Sequence, residues 1–136
     1  MRKILPVFFL IFFVTGCKKT IEKIKENAVI SAMTDGQWVI TIFEKNGSVI
    51  TPEFSGYKFQ YHKNYTVDAI KNGVVEKTGT WDGDANTMTI TAIFLNAGHP
   101  LDLINGNWHI DNNSWTYVMA SQATGTETKK LRLEKL

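Results

Sequence analysis

Cysteine is nearly absent from this sequence, since Cys17 is the single thiol among 136 residues. A lone cysteine excludes the disulfide framework that stabilises many small secreted scaffolds. A chain of this length buries roughly two-thirds of its unfolded surface, so one ordinary domain needs no disulfides. An excess of one charge is missing too. Without Arg2 and Lys3 the 15 basic side chains fall to 13, equal to the 13 acidic ones, and this balance gives no indication of nucleic-acid binding.

The patterns that carry catalysis or metal binding are also missing. His62, His99 and His109 are scattered along the sequence without the spacing of metal ligands. The segment 82–86 has the acidic start of a calcium loop but lacks its distal glutamate, so a hairpin turn explains it better. The sequence has neither a serine nucleophile elbow nor a glycine-rich phosphate loop. We therefore expect no enzymatic activity, no metal and no noncovalent cofactor.

The amino terminus has the layout of a signal peptide. The basic residues Arg2 and Lys3 precede an apolar run from Ile4 to Val14, which is too short to span a bilayer. The sequence Val14-Thr15-Gly16-Cys17 then resembles the lipobox of bacterial lipoproteins, in which an aliphatic residue and two small residues precede the cysteine. The resemblance implies cleavage before Cys17, a diacylglycerol on its sulfur and an N-acyl lipid on its amino group. The alternative is an ordinary secretory signal that contains a chance cysteine.

The expected anchor is followed by a polar segment from Lys18 to Met33. Ile21, Ile24 and Ala28 recur at helical spacing among lysines and glutamates, which is typical of a solvated linker with a partial helix. Lys18 differs from the aspartate that retains many lipoproteins in the inner membrane, and no acidic surface-export run follows. These lipoprotein sorting rules imply the periplasmic face of the outer membrane of a bacterial cell. The expected divisions are a signal peptide at 1–16, the lipidated cysteine and tether at 17–33, and a folded domain at 34–136.

The sequence of the folded domain predicts an all-β fold, because short segments of alternating apolar and polar residues are separated by turn residues. Trp38, Ile40 and Ile42, for example, recur with period two and are expected to share one face. Sequential antiparallel strands with local connections predict an eight-stranded up-and-down barrel, since closure removes exposed edges. The eight strand candidates are Gly36–Lys45, Phe54–His62, Tyr65–Lys71, Val74–Trp81, Thr87–Phe94, Gly106–Asp111, Ser114–Ala120 and Thr128–Lys135.

The connections of such a barrel alternate between its two ends. The short links at 62–64, 82–86 and 111–113 share one end, which we call the short-loop end. The opposite end, the long-loop rim, receives the tight Asn72-Gly73 hairpin and three longer links, at 46–53, 95–105 and 121–127. Long loops on a rigid scaffold are where binding usually occurs, so the rim is the expected functional end.

The four tryptophans are expected at the opposite end of the barrel. Strand direction places Trp38, Trp81 and Trp115 at the short-loop end, with Trp108 in the nearer half of its strand. Large side chains that converge there would plug the barrel bottom. The alternative is an aromatic platform for sugar binding. Because the tether enters just before the first strand, the long-loop rim is expected to face away from the membrane.

Several of these features resemble lipocalins and the lipocalin-like domains of small bacterial lipoproteins. Gly36-Gln37-Trp38 is similar to the Gly-x-Trp signature of the first lipocalin strand. Phe59-x-Tyr61, the turn at 63–64 and Gly79-Thr80-Trp81 extend the similarity. Lipocalins also place a basic residue of the last strand over the first-strand tryptophan, a role that the resemblance assigns to Arg132. Alternation with the leucines on either side directs Arg132 outward unless a bulge intervenes.

The resemblance implies that the barrel binds or carries one small hydrophobic ligand. The residues expected to line the site are Ile42, Tyr57, Phe59, Val75, Ile90, Phe94 and, in the loop that would act as a lid, Leu101. Two alternatives stay open. These side chains fill the barrel as core, or the protein is an interaction or inhibitor module that binds an envelope protein through the long rim loops of a solid barrel.

Overall fold

The computed structural model describes residues 27–136. It begins with a helix at 27–34, which we call α1, and continues with two short 3-10 helices, Thr51–Phe54 and Leu101–Ile104. The predicted lipidation site, Cys17, and the signal peptide lie outside the described residues. The strands are β1 (Trp38–Lys45), β2 (Ser48–Val49), β3 (Tyr57–Tyr61), β4 (Thr66–Lys71), β5 (Val74–Asp84), β6 (Thr89–Ile93), β7 (Gly106–Asn113), β8 (Tyr117–Thr124) and β9 (Glu127–Lys135).

The strands close into an eight-stranded antiparallel barrel, as the alternating sequence predicts. Its order is β1-β3-β4-β5-β6-β7-β8-β9, and β9 pairs back onto β1. The ninth strand, β2, only forms a short hairpin with the end of β1. The closing pair β1–β9 extends along most of β1, whereas β1 meets β3 at one residue pair, Trp38 with Phe59.

The two ends of the barrel differ as expected, with one correction. Asn72 and Gly73 have φ angles of 51° and 82°, as a type I′ hairpin requires. The predicted long link at 121–127 is wrong, because β8 and β9 stay paired up to Thr124 and Glu127. Gly125, at a φ of 60°, permits this tight turn. The long-loop rim therefore has two long loops, between β1 and β3 and between β6 and β7.

Register shifts in two strands change which side chains face inward. A bulge between Ile40 and Ile42 in β1 makes Phe43 the next buried residue of the strand. A second shift pairs Ala69 with Lys77 but Ile70 with Val75, so one extra residue of β5 lies between them. An extra residue reverses the alternation of everything beyond it. The predicted shared face therefore holds for Trp38 and Ile40 but is wrong for Ile42.

Helix α1 covers the short-loop end of the barrel. Met33 is buried, and Val29 and Ile30 pack against the same core. The indole nitrogen of Trp38 donates a 2.9 Å hydrogen bond to the Met33 carbonyl, which attaches the helix to the first strand. The folded unit thus includes residues that were expected to belong to the tether, and the boundary at residue 34 is too late. Within 27–136, no helix has both the length and the apolar character needed to cross a membrane.

Candidate functional site

The interior of the barrel is the first candidate site, and five of the seven predicted ligand-lining residues lie there. Tyr57, Phe59, Ile90, Phe94 and Leu101 are all buried. Their neighbours are other side chains of the same group. The rings of Tyr57 and Phe59 are stacked with centroids 6.2 Å apart, and those of Phe59 and Phe94 are 6.4 Å apart. Aromatic pairs at this spacing stabilise each other, so these residues form core.

The other two predicted lining residues lie outside the barrel. Ile42 is 43% exposed and Val75 is 52% exposed. Both predictions are wrong for one physical reason, because each residue lies beside a register shift that reverses the alternation of its strand. Phe43, which is fully buried, takes the interior position that Ile42 was expected to fill.

The packed core leaves very little empty space. The cavity inside the barrel has a volume of about 20 Å³ and is lined by Tyr61, Ile90, Ala92, Ile104, Trp108, Val118, Ala120, Leu131 and Leu133. Pockets that hold small organic ligands usually have volumes of roughly 300–1,000 Å³. A volume near that of one water molecule therefore has no room for an acyl chain unless the core repacks.

The predicted lid loop closes the mouth of the barrel. Its 3-10 helix buries Leu101, Leu103 and Ile104 against the core. The indole nitrogen of Trp108 donates a 2.7 Å hydrogen bond to the Ile104 carbonyl. The side chain of Asn105 accepts from the Phe94 amide at 2.6 Å and donates to the Phe94 carbonyl at 3.1 Å. These bonds fix the C-terminal end of the helix to β7 and join the two ends of the loop.

Lys129 is a further attachment of the lid, and the sequence analysis missed it. Its side chain is only 9% exposed, and its ammonium donates a 2.9 Å hydrogen bond to the Leu103 carbonyl. The ammonium also lies 5.7 Å from the centre of the Trp108 ring and 3.6 Å from a Glu127 carboxylate oxygen. Alternation along β9 could have predicted this position, since Lys129 lies two residues before the inward Leu131 and therefore on the same face of the strand.

Two of the four tryptophans are buried at the short-loop end as predicted. Trp38 and Trp81 are buried, and the Trp81 indole donates a 2.9 Å hydrogen bond to the His62 carbonyl. Tyr61 packs edge-on against Trp81 at 5.3 Å between ring centroids. Burial raises the pKa of the Tyr61 phenol well above its usual range, as expected for a hydroxyl held in an apolar plug.

The predicted position of Trp108 is wrong, whereas Trp115 lies at the predicted end but does not plug the barrel. Trp108 is buried, but β7 runs from the long-loop rim, so its third residue lies in the rim half, 6.1 Å from Phe43 between ring centroids. Trp115 is 59% exposed because it lies in the turn between β7 and β8 rather than inside the barrel.

The basic residue over the first-strand tryptophan is Lys135, not Arg132. The Lys135 ammonium lies 5.1 Å from the centre of the Trp38 ring, within cation–π distance. Arg132 points outward and stacks over Tyr117 at 4.5 Å. The prediction that Arg132 belongs to the barrel bottom is therefore wrong. No bulge in β9 reverses its alternation, so Lys129, Leu131, Leu133 and Lys135 keep the inward positions.

The long-loop rim is the second candidate site. The exposed aliphatic side chains Val49, Val74, Val75 and Leu95 follow one another along the rim, on the β1–β3 connection, the β4–β5 hairpin and the loop after β6. Beside them the Tyr57 hydroxyl donates a hydrogen bond to the Glu76 carboxylate. Burial, with a smaller effect of the Glu76 carboxylate, raises the pKa of Tyr57 to about 12.

The three histidines lie apart, each beside a carboxylate. His62 is 2.8 Å from Asp68, and this bond, with one from Thr78, lowers the pKa of Asp68. His99, on the lid loop, is 2.8 Å from Glu53 on the other long loop. His109 is 3.9 Å from Asp111. In residues 27–136, no three side chains of the His, Cys, Asp or Glu types come together as a metal site.

Comparisons with known proteins support the fold. No family model and no curated protein matches the chain. Among solved structures, a DUF4847 family protein from Bacteroides vulgatus matches with a TM-score of 0.55 and 12% identity, covering 78% of this chain and 96% of that one. A lipocalin-like protein from Bacteroides uniformis matches with a TM-score of 0.55 and 14% identity, covering 76% of this chain and 98% of that one. The barrel thus has a lipocalin-like fold.

Proposed function

We propose that this chain is an envelope lipoprotein whose lipocalin-like barrel is a solid scaffold that presents its long-loop rim to a protein partner. The observation that carries the proposal is the filled interior, with a cavity of about 20 Å³ beneath a firmly attached lid. A barrel without a pocket binds other molecules through its outer surface. Of the functions that the sequence left open, the filled interior therefore favours the interaction module over the ligand carrier.

The rim offers a surface of suitable character. Val49, Val74, Val75 and Leu95 are exposed aliphatic side chains on three neighbouring connections, and Leu95 is 74% exposed. Single exposed apolar residues are common, but several along one edge favour a protein contact. The rim is the end expected to face the periplasmic space, because α1 enters the barrel at the short-loop end.

The anchor is tested at Cys17. The Cys17→Ala variant should lose the acyl mass of the amino-terminal peptide and leave the outer-membrane fraction. Thr15→Ala keeps a small residue before the cysteine and should leave lipidation intact. Mass spectrometry of the peptide and fractionation of the envelope measure both effects. An unmodified Cys17 in the native protein would refute the anchor.

The rim is tested by cross-linking in the membranes of the host. A photoreactive side chain at position 95 should capture a defined partner, and one at position 136 should not, because Leu136 lies at the opposite end. Leu95→Lys should abolish capture from a second rim position, such as Val49, whereas Leu136→Lys should preserve it. Equal capture from both ends, or capture that survives Leu95→Lys, would contradict a rim interface.

A small hydrophobic ligand inside the barrel is the second candidate function. The observation that favours it is the position of the cavity, which is enclosed by mostly apolar side chains directly below Ile104 of the lid. Entry would require the lid to open and the core to repack around the ligand. Apolar burial would then provide roughly 25 cal/mol per Å² before those costs.

A further inference from the structure

The exposed aromatic side chains of the described residues lie at one end of the barrel. Among the described residues, the exposed aromatic side chains are Tyr65 and Trp115, which are 47% and 59% exposed. Both lie in turns of the short-loop end. The long-loop rim carries exposed aliphatic residues instead, such as Val74 and Leu95. Exposed tyrosine and tryptophan together are typical of surfaces that enter the interface between membrane and water.

Trp115 forms one wall of a groove against the amino-terminal helix. The groove has a volume of about 210 Å³, and its lining is Ala28, Val29, Ala32, Asn113, Ser114 and Trp115. The alanines leave the indole uncovered from this side, while Val29 turns inward to pack on the core. The result is an open, mainly apolar notch at the end of the molecule where the described chain begins.

The chain between Cys17 and this groove is short. Residue 27 follows Cys17 by ten positions, which span at most about 36 Å when fully extended. A lipid on Cys17 therefore keeps the groove within that distance of the bilayer, and any compaction brings it closer. The rim lies across the barrel from this entry point. The anchor thus keeps the short-loop end close to the membrane, so that the effective concentration of membrane surface at this end is high.

We propose that Trp115 and Tyr65, with the groove beside α1, insert into the interfacial region of the bilayer and hold the barrel upright on it. This inference rests on the lipid anchor of the proposed function. The inserted residues add a second membrane contact, which fixes the orientation of the barrel so that the rim points away from the membrane. An indole at this depth places its ring among acyl chains and headgroups, where tryptophan is favoured.

The charges at the same end select the kind of lipid. Among residues 27–136, Asp35, Asp82, Asp84 and Asp111 are exposed there, against one exposed lysine, Lys63. These carboxylates oppose an anionic surface. The contact therefore depends on burial of the aromatic rings, and zwitterionic lipids such as phosphatidylcholine and phosphatidylethanolamine are the expected partners.

Fluorescence quenching tests the contact. The full lipoprotein is reconstituted into phosphatidylcholine vesicles with or without brominated acyl chains, which quench tryptophans at membrane depth. Trp38, Trp81 and Trp108 are at most 2% exposed, so quenching should be present in the wild type and lost in Trp115→Phe. Addition of phosphatidylglycerol should not increase it. A matched control carries Leu95→Trp in the Trp115→Phe background and should remain unquenched.

The outcomes separate the inference from the anchor. Mass spectrometry first establishes the acyl load, and flotation establishes that the protein is on the vesicles. Acylated, floating protein with equal quenching in wild type and Trp115→Phe would overturn the inference while the anchor stands. Coverage of Trp115 by a second copy or by the chain's own amino-terminal segment would also leave it unquenched by brominated lipid, and would equally overturn the proposal. An absence of acylation would refute the anchor itself.

Discussion

One buried ammonium, that of Lys129, helps to hold the lid, and its removal should loosen the lid without unfolding the barrel. Lys129→Met keeps the length and apolar stem of the side chain but deletes the donor to the Leu103 carbonyl. Methionine can still pack against Trp108, whose ring lies below the ammonium. The change therefore isolates the hydrogen bond from the packing.

The size of the effect follows from the burial of the bond. Hydrogen bonds to charged groups contribute roughly 1.5–3 kcal/mol when buried, and Lys129 is only 9% exposed. The Glu127 pair adds little, because that carboxylate is 39% exposed and exposed ion pairs contribute about 0–1 kcal/mol. We expect the free energy of lid opening to fall by about 1.5–3 kcal/mol, which is about a 10- to 150-fold change in the opening equilibrium.

Amide hydrogen exchange measures this opening directly. The Leu103 amide donates to the Pro100 carbonyl at 3.0 Å within the lid, so its exchange rate should rise by that factor in Lys129→Met. Amides of β4, such as that of Val67, should keep their protection. Lys130→Met is the matched control, because Lys130 is exposed on the outer face of the same strand. Unchanged exchange at Leu103, or equal acceleration in the control, would refute the assigned role of Lys129.

Two further predictions concern stability. Gly79→Ala should destabilise the barrel by about 1–3 kcal/mol or more, because the added Cβ would lie 2.8 Å from a Phe94 ring carbon and in contact with the Ile93 carbonyl; urea unfolding measures the loss. The pKa of Asp68 is lowered in the folded state. The stability that this provides is fully present above the ordinary carboxyl pKa near 4, and it is lost as the pH falls through the folded-state pKa. In Asp68→Asn, the unfolding midpoint should therefore fall less steeply with decreasing pH below about 4 than it does in the wild type.

Each of these has a control in the chain. Gly98→Ala adds a Cβ that meets no atom within 4 Å and should change stability by less than Gly79→Ala; equal losses would show that steric contact is not the cause. Asp82→Asn removes an exposed carboxylate from the outer face of β5 and is the matched control for the loss of one negative charge. An identical acid limb in Asp68→Asn and the wild type would contradict the role of the His62–Asp68 pair.

The alternation of apolar and polar residues predicted the barrel, because it shows which face of a strand is buried. Each strand shows this pattern in its own short segment of sequence. The eight strands and their order followed from that signal, and the Asn72-Gly73 hairpin followed from its turn residues. Errors appeared where a single extra residue reverses the alternation. Ile42 and Val75 lie beside such shifts, and a bulge leaves little trace in the pattern of apolar residues.

The tryptophans show a different limit of sequence reasoning. Trp115 was expected to help plug the barrel at the start of its strand, but β8 begins only at Tyr117. The buried residues of β8 are instead Val118 and Ala120, whose smaller side chains fit an interior already filled by Trp108 and the aromatic rings. Whether a barrel holds a ligand or is solid depends on the sum of all inward volumes, which no single strand reveals.

The filled barrel is tested most directly by native mass spectrometry of the protein extracted from the membranes of its own host. We predict the mass of the chain from Cys17 onward with its covalent lipid and no additional small molecule. A lipid or other apolar compound that remains bound in stoichiometric amount, and is released when the barrel unfolds, would contradict the solid scaffold and establish the carrier instead.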